Sequence, residues 1–228
     1  MGGIVAIEHE KKGSLSNKAR GVLTLALGML VVLWRVILPT NVEITIGIII
    51  LVALLDLALT VTLILINKNE LREVFARKFS GNDFLKTILC FVIFFIFITV
   101  SDIGLQLVLD VLEIETIGSP AAWVAQQFSV VFPLGLIIST VIAAPIWEEI
   151  AFRMAGKNLI KNKFLFIVIT TFLFVFIHTG PFYLDRGMFY ALAGIGYAAI
   201  YLITKDIRIA IGVHFLNNLF AAIISLLG

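Results

Sequence analysis

Long uncharged apolar runs make up most of this sequence, and they limit what the chain can fold into. One run extends from Phe132 to Trp147 without a single charged residue. A helix of roughly 20 such residues crosses the hydrocarbon core of a bilayer. Only 14% of the 228 residues are charged, whereas soluble domains average about 25%. The sequence therefore predicts an all-α, polytopic transmembrane helical bundle.

The runs divide the chain into about seven spans joined by short connectors. We expect these spans at 21–38, 44–66, 87–109, 128–157 (or from Phe132), 164–178, 188–203 and 207–227. The basic, amphipathic connector 67–86 predicts a short interfacial helix, and the acidic segment 110–127 predicts a surface loop with another short helix. We accordingly divide one structural domain into a basic tail (1–20), N-terminal spans (21–127) and a half-bundle (128–228).

The basic residues predict the orientation of the bundle. With a cytoplasmic N-terminus, alternate connectors place all 17 Lys and Arg residues except Arg35 and Arg186 on the cytoplasmic side, as the positive-inside rule requires. The fifth span is unusually short, since it rises only about 22 Å before Thr179-Gly180-Pro181 interrupts it. We expect this break to lie within the membrane, where irregular backbone is tolerated only beside protein or a water-filled cavity.

Two adjacent glutamates and an arginine follow the longest uncharged run, at Glu148, Glu149 and Arg153. Residues four apart share a helix face, so Glu149 and Arg153 can form an ion pair. Glu148 then points about 100° away and requires another partner or another purpose. Ionisable groups at membrane depth are costly and usually functional, whereas in the headgroup layer they would merely end a span.

Two later spans each carry a histidine, with Phe174 one turn before His178 and Asn218 one turn after His214. Counted from the basic flanks at 1.5 Å per residue, Glu148 and His214 lie about 10 Å deep and His178 about 20 Å deep. Each residue alone can be a structural one, such as an interhelical amide. Together, a carboxylate, two imidazoles and an amide match a site that activates water and stabilises an oxyanion.

The motifs Glu148-Glu149-xxx-Arg153, Phe174-xxx-His178 and His214-xxx-Asn218 resemble, in this order, those of the CAAX prenyl-protease and bacteriocin-processing (CPBP, or Abi) family of intramembrane endopeptidases. The resemblance covers about residues 128–227 and implies a bundle with a cavity open to the cytoplasm. It implies that Glu148 is the catalytic base and that His178 positions the water. It also implies that His214 and Asn218 bind the carbonyl oxygen or a metal, with Glu149, Arg153 and Phe174 in support.

The residues leave two possibilities for a cofactor. His178, His214 and Glu148 resemble a His₂Glu zinc set. However, the zinc-binding spacing H-E-x-x-H is absent, and asparagine is a poor zinc ligand. The mechanism that we prefer requires no cofactor, and zinc is the alternative. The single cysteine, Cys90, excludes an intramolecular disulfide and a cysteine-based metal cluster.

The expected partners are the lipid bilayer and a peptide or a prenylated or leader-peptide protein substrate, and no nucleic acid. We expect a multi-pass protein of the cell membrane, most simply a bacterial plasma membrane. Two other functions compete with proteolysis: a non-catalytic scaffold or bacteriocin-immunity protein of the same fold, and a small transporter with Asp56, Glu148 and the histidines as a proton relay. The sequence shows no repeat symmetry between its two halves, which counts against a transporter. Otherwise Asp56, Asp102 and Arg35 are expected to be structural.

Overall fold

The computed structural model describes residues 15–30, 45–113, 133–179 and 187–227, and every regular element within these ranges is helical. The elements are α1 (Asn17–Met29), α2 (Ile46–Ile66), α3 (Lys68–Ala76), α4 (Gly81–Val111), α5 (Pro133–Leu159), α6 (Lys163–Thr179), α7 (Gly187–Thr204) and α8 (Ile207–Leu227). Five of them, α2, α4, α5, α7 and α8, are long and apolar enough to cross a membrane, and α6 is a shorter apolar helix. The predicted all-helical, multi-pass architecture is confirmed, while the count of seven and the cytoplasmic N-terminus stay predictions.

Most helix boundaries agree with the sequence-based ones, and α4 is the main difference because it begins at Gly81 rather than at 87. The reason is a capping box. Ser80 Oγ accepts a hydrogen bond from the Asp83 amide at 3.2 Å, and Asp83 Oδ2 accepts one from the Ser80 amide at 3.0 Å. The connector does contain a short helix, α3, and its interfacial location stays a prediction. The second half of the first predicted span and most of segment 110–127 lie outside the described residues.

The centre of the bundle is α5. Every residue from 147 to 156 is buried, and a helix that is covered on all sides belongs to the core of a bundle. Helices α1, α2, α6 and α8 pack against it. By contrast, α4 exposes most of its large apolar side chains, as expected for a helix that faces lipid. The charged motif of α5 is thereby enclosed in protein.

Helix α1 lies very close to α5. A Cβ added to Gly28 would be 2.8 Å from the Ala151 Cβ, and one added to Gly21 would be 3.3 Å from the carbonyl oxygen of Ala155. Between the two glycines, buried Thr24 accepts a hydrogen bond from Asn67 Nδ2 at 2.9 Å. Glycine at these positions therefore allows α1 to cover the part of α5 that carries the charged motif.

We expect Gly28→Ala to destabilise the protein by about 1–3 kcal/mol, the usual cost of overpacking a core. Ala151 is the neighbour that would have to move, and its Cβ is fixed to the backbone of α5. Thermal unfolding in detergent, followed by circular dichroism, measures the effect. Gly104→Ala is the matched control, because nothing lies within 4 Å of the added methyl group and alanine is the better helix former. Equal melting temperatures for the two variants would contradict the close approach.

An ion cluster ties the turn before α8 to the connector before α4. The guanidinium of Arg208 donates to both carboxylate oxygens of Asp206, at 3.0 and 2.8 Å, and to the Arg77 carbonyl at 2.7 Å. Arg77 Nη2 also donates to Asp206. Burial alone would raise the pKa of Asp206, but the hydrogen bonds from Arg208 and the two positive charges outweigh it and lower that pKa. The cluster fixes the start of the helix that carries His214.

Candidate active site

Two stretches of α5 are π-helical, at Ile137–Ala143 and Glu149–Met154, and such wider turns are frequent at functional sites. The first stretch explains the position of Asn218. A π turn would pair the Thr140 carbonyl with the amide five residues later, but residue 145 is proline, which has no N–H. The Asn218 Nδ2 donates to that carbonyl instead, at 2.9 Å. Asn218 therefore attaches α8 to the central helix.

Both glutamates of the motif face the same histidine. His214 Nδ1 lies 3.0 Å from Glu149 Oε1, and Nε2 of the same ring lies 3.8 Å from Glu148 Oε2. We had expected the two carboxylates to point about 100° apart. The two carboxylates approach opposite nitrogens of the ring, so side chains that leave the helix about 100° apart can reach it from two sides. The two carboxylates can therefore share one imidazole.

His178 faces the other oxygen of the Glu148 carboxylate. Its Nδ1 lies 2.7 Å from the Phe174 carbonyl oxygen. Because a carbonyl only accepts, Nδ1 carries a hydrogen and donates it. The second ring nitrogen, Nε2, lies 4.0 Å from Glu148 Oε1. In the neutral ring this Nε2 is an acceptor that points toward the carboxylate.

From the sequence, Glu148 is expected about 10 Å deep in the membrane and His178 about 20 Å deep. In the structure the two residues lie at more similar distances from the ends of their helices. Helix α5 continues to Leu159, which places Glu148 about 16 Å from the end of that helix. His178 lies about 22 Å from the start of α6 at Lys163. The remaining difference is small enough for two side chains to bridge, so the site residues meet at one level.

The predicted ion pair between Glu149 and Arg153 is present and completely buried. The Arg153 Nε lies 3.4 Å from Glu149 Oε2, and both side chains are 0% exposed. Arg153 Nη2 also donates to the Gly194 carbonyl at 3.3 Å, and the guanidinium lies 5.1 Å from the centre of the Phe174 ring. Glu149 thus joins Arg153 to His214, a connection that the sequence did not indicate.

Two tyrosines beside this centre and one buried serine were not expected from the sequence. Tyr190 and Tyr197, both on α7, are stacked on the two histidines. Ser139, in the first π stretch, donates a hydrogen bond to buried Asp56, which supports the structural role expected for Asp56. The spacing of the tyrosines, seven residues apart in an apolar helix, was the signal that could have singled them out.

The predicted zinc ligands do not form a metal-binding arrangement of the usual kind. Among the residues that the structure describes, no three His, Cys, Asp or Glu side chains are placed to hold a metal ion. The two imidazole nitrogens that approach Glu148 do so at 4.0 and 3.8 Å. Zinc dependence and metal independence both stay predictions.

The five apolar helices and the buried carboxylate and histidine centre together define a multi-pass membrane protein with a polar site inside its bundle. Residues 129–220 match the family model described as Rce1-like, type II CAAX prenyl endopeptidase Rce1-like. That range contains all three motifs, so the resemblance of these motifs to the CPBP family is confirmed. The chain matched no curated protein and no solved structure.

Proposed function

We propose that this protein is an intramembrane endopeptidase in which Glu148 activates a water molecule for attack on a peptide carbonyl. One observation carries the proposal: the buried Glu148 carboxylate lies between Nε2 of His178 and Nε2 of His214, at 4.0 and 3.8 Å. A water at hydrogen-bond distance, about 2.8 Å, from both Glu148 and His178 fits a gap of this size. Glu148 would accept one proton of that water while His178 accepts a hydrogen bond from the other.

The contacts of His214 suit it to hold the oxyanion that forms on attack. An imidazole donates from Nε2 while Nδ1 is bonded to Glu149 only if both nitrogens carry a proton. Glu149 and Glu148, one on each side of the ring, would balance the two positive charges of His214 and Arg153. Preorganised donors of this kind are among the largest contributors to catalysis. Asn218 has a second N–H beyond the one given to Thr140, and that hydrogen can serve as the other donor.

Collapse of the tetrahedral intermediate breaks the C–N bond and requires a proton for the leaving amine. Glu148 holds the proton that it took from water, so it can return this proton to the amine, while the other proton of the water stays on the new carboxylic acid until that acid ionises. The same group then acts first as base and next as acid. No external reductant, oxidant or covalent enzyme intermediate is required by this sequence of steps.

For the substrate we propose a peptide at the C-terminus of a lipid-attached protein, of the type named in the description of the matched family. An isoprenoid group partitions into the bilayer and would bring the adjacent peptide to the membrane-embedded site. A leader peptide of a bacteriocin-type precursor is the second substrate class, and a bacterial plasma membrane is the proposed location.

Cleavage of quenched fluorescent peptides by the purified protein in detergent tests the proposal. The panel pairs each prenylated peptide with the same sequence without the lipid, and it includes leader-type peptides. Each reaction is run with and without a chelator. We expect cleavage of the prenylated member of at least one pair and no loss of rate with chelator.

Other results of the same assay would support a zinc enzyme, a different substrate class or a non-catalytic function. Loss of cleavage with chelator and recovery on adding zinc would make His178, His214 and Glu148 metal ligands. Cleavage of leader-type peptides alone would exclude the prenylated tail as the substrate. If no peptide of any class is cleaved while the protein remains folded, the proteolytic function is wrong, and the scaffold or immunity function takes its place.

A further inference from the structure

Helix α7 directs one narrow face toward the site. Tyr190, Gly194 and Tyr197 follow one another at intervals of four and three residues, which places them in line on one side of a helix. We call these three residues the α7 strip. Helix α7 packs against both α6, which carries His178, and α8, which carries His214. The strip therefore lies where a single helix can touch both imidazoles.

Each tyrosine of the strip lies nearly parallel to one histidine ring. The Tyr190 and His178 ring centres are 4.6 Å apart at an interplanar angle of 27°. The Tyr197 and His214 centres are 4.2 Å apart at 21°. A second aromatic ring, Phe174, approaches His178 with its centre 4.4 Å away. Both imidazoles are thus held against flat surfaces, one supplied by each tyrosine.

Gly194 allows the strip to come this close. A Cβ at this position would meet the Thr171 Cγ2 at 3.1 Å and the Thr171 Cα at 3.2 Å, and a backbone atom cannot move aside. The carbonyl of Gly194 also accepts the hydrogen bond from Arg153 Nη2. The strip consequently contacts the two histidines and the arginine that supports Glu149.

Control of the ring planes matters because the histidine χ2 torsion is broad. The hydrogen bond from His178 Nδ1 to the Phe174 carbonyl holds one atom of the ring in place. The imidazole plane can still tilt about an axis close to that bond. A stacked ring opposes this rotation, since tilting the imidazole would drive its edge into the tyrosine face. The direction in which Nε2 points toward Glu148 is then set by α7.

We infer that the α7 strip is a positioning surface, in which Tyr190 and Tyr197 set the planes of His178 and His214. These tyrosines act through the histidines. The effect on catalysis rests on the proposed protease function, whereas the effect on the ring planes does not. The stacked ring of Tyr190 carries this positioning role.

Kinetics on a peptide that the wild-type protein cleaves test the catalytic part. Tyr190→Leu is expected to lower kcat about tenfold, in line with the value of an aromatic pair, with KM changed less than about twofold. Tyr190→Phe keeps the ring and is expected to stay within about twofold of wild type in both parameters. Tyr201→Leu is the matched control. Tyr201 also lies on α7, but its ring packs on Phe166 and Lys157 rather than on a histidine, so kcat of this variant should not fall.

Histidine-selective NMR tests the ring planes without any need for activity. The chain has only three histidines, so the imidazole Cε1–Hε1 signals of labelled protein are few and assignable by substitution. A stacked aromatic ring shifts these protons upfield. In Tyr190→Leu the His178 signal should move downfield while the His214 signal stays in place, and Tyr190→Phe should leave both unchanged.

Three results would overturn the inference. The His178 signal could stay unmoved in Tyr190→Leu, which would mean that no stack exists. The phenylalanine and leucine variants could lose kcat equally, which would assign the role to the hydroxyl. Tyr201→Leu could lose kcat as much as Tyr190→Leu, which would reduce the effect to general packing. If the wild-type protein cleaves nothing, the protease proposal fails by itself, and the NMR shifts still decide whether α7 sets the ring planes.

Discussion

Replacing Glu148 by glutamine should abolish most of the peptide cleavage and leave the protein folded. Glutamine has nearly the same shape but cannot take a proton from water, and positioned acid–base groups typically contribute 10²–10⁴-fold to a rate. We therefore expect kcat to fall by about a hundredfold to ten-thousandfold. The melting temperature should change little, because the amide still fits beside His178 and His214. Single-turnover cleavage and thermal unfolding of the same preparation measure the two quantities.

Asp102→Asn is the matched control for this variant. It makes the same carboxylate-to-amide change on α4, at a partly exposed side chain that accepts a hydrogen bond from Gln106 at 3.4 Å. Its kcat should equal that of wild type. If Glu148→Gln instead cleaves at the rate of the Asp102→Asn protein, Glu148 is not the base and the proposed mechanism is wrong.

Arg153→Met should be the most destabilising single substitution at the site. It removes the cation from a pair whose side chains are both 0% exposed and leaves the Glu149 carboxylate buried beside His214 alone. Breaking one half of a buried pair typically costs about 3–5 kcal/mol. We expect a large drop in the melting temperature and in the yield of folded protein, measured by thermal unfolding and by size-exclusion chromatography in detergent.

The double variant Glu149→Gln/Arg153→Met isolates the cause. Removing both charges leaves no uncompensated carboxylate, and apolar or neutral replacement of a whole buried pair is often tolerated. The double variant should therefore be more stable than Arg153→Met. Arg20→Met serves as the control, because Arg20 pairs with Glu70 at 3.2 Å with both side chains partly exposed, and such pairs contribute about 0–1 kcal/mol. Equal losses at Arg153 and Arg20 would contradict the buried pair.

The sequence predicted most of the helices because the bilayer imposes a length on each of them. The second, fifth, sixth and seventh predicted spans begin and end within about two residues of α2, α6, α7 and α8. The main error was the start of α4, which was predicted at residue 87 and lies at Gly81. Its cause is a polar capping box, which a hydropathy pattern does not detect. Ser80 and Asp83 cap α4 and extend it toward the connector, although neither residue is apolar.

The site residues were also chosen from sequence, since charged and polar groups inside apolar runs are too costly to be incidental. The ion pair of Glu149 with Arg153 followed from helical spacing alone. What spacing could not give was the partner of each remaining group. The link from Glu149 to His214 and the bond from Asn218 to the Thr140 carbonyl join residues that are far apart in the chain.

The sequence by itself determined that this protein is a membrane-spanning helical bundle and which polar residues it buries, because length, hydropathy and i, i+4 spacing are local properties. The tertiary structure alone decided how those residues meet. Two adjacent carboxylates of α5 approach the two nitrogens of one imidazole, and two tyrosines of α7 stack on the two histidines, while Gly194 lets α7 approach Thr171 of α6 closely. Such contacts depend on helix packing and on departures from regular helical geometry, and no pattern of residue types encodes either of them in advance.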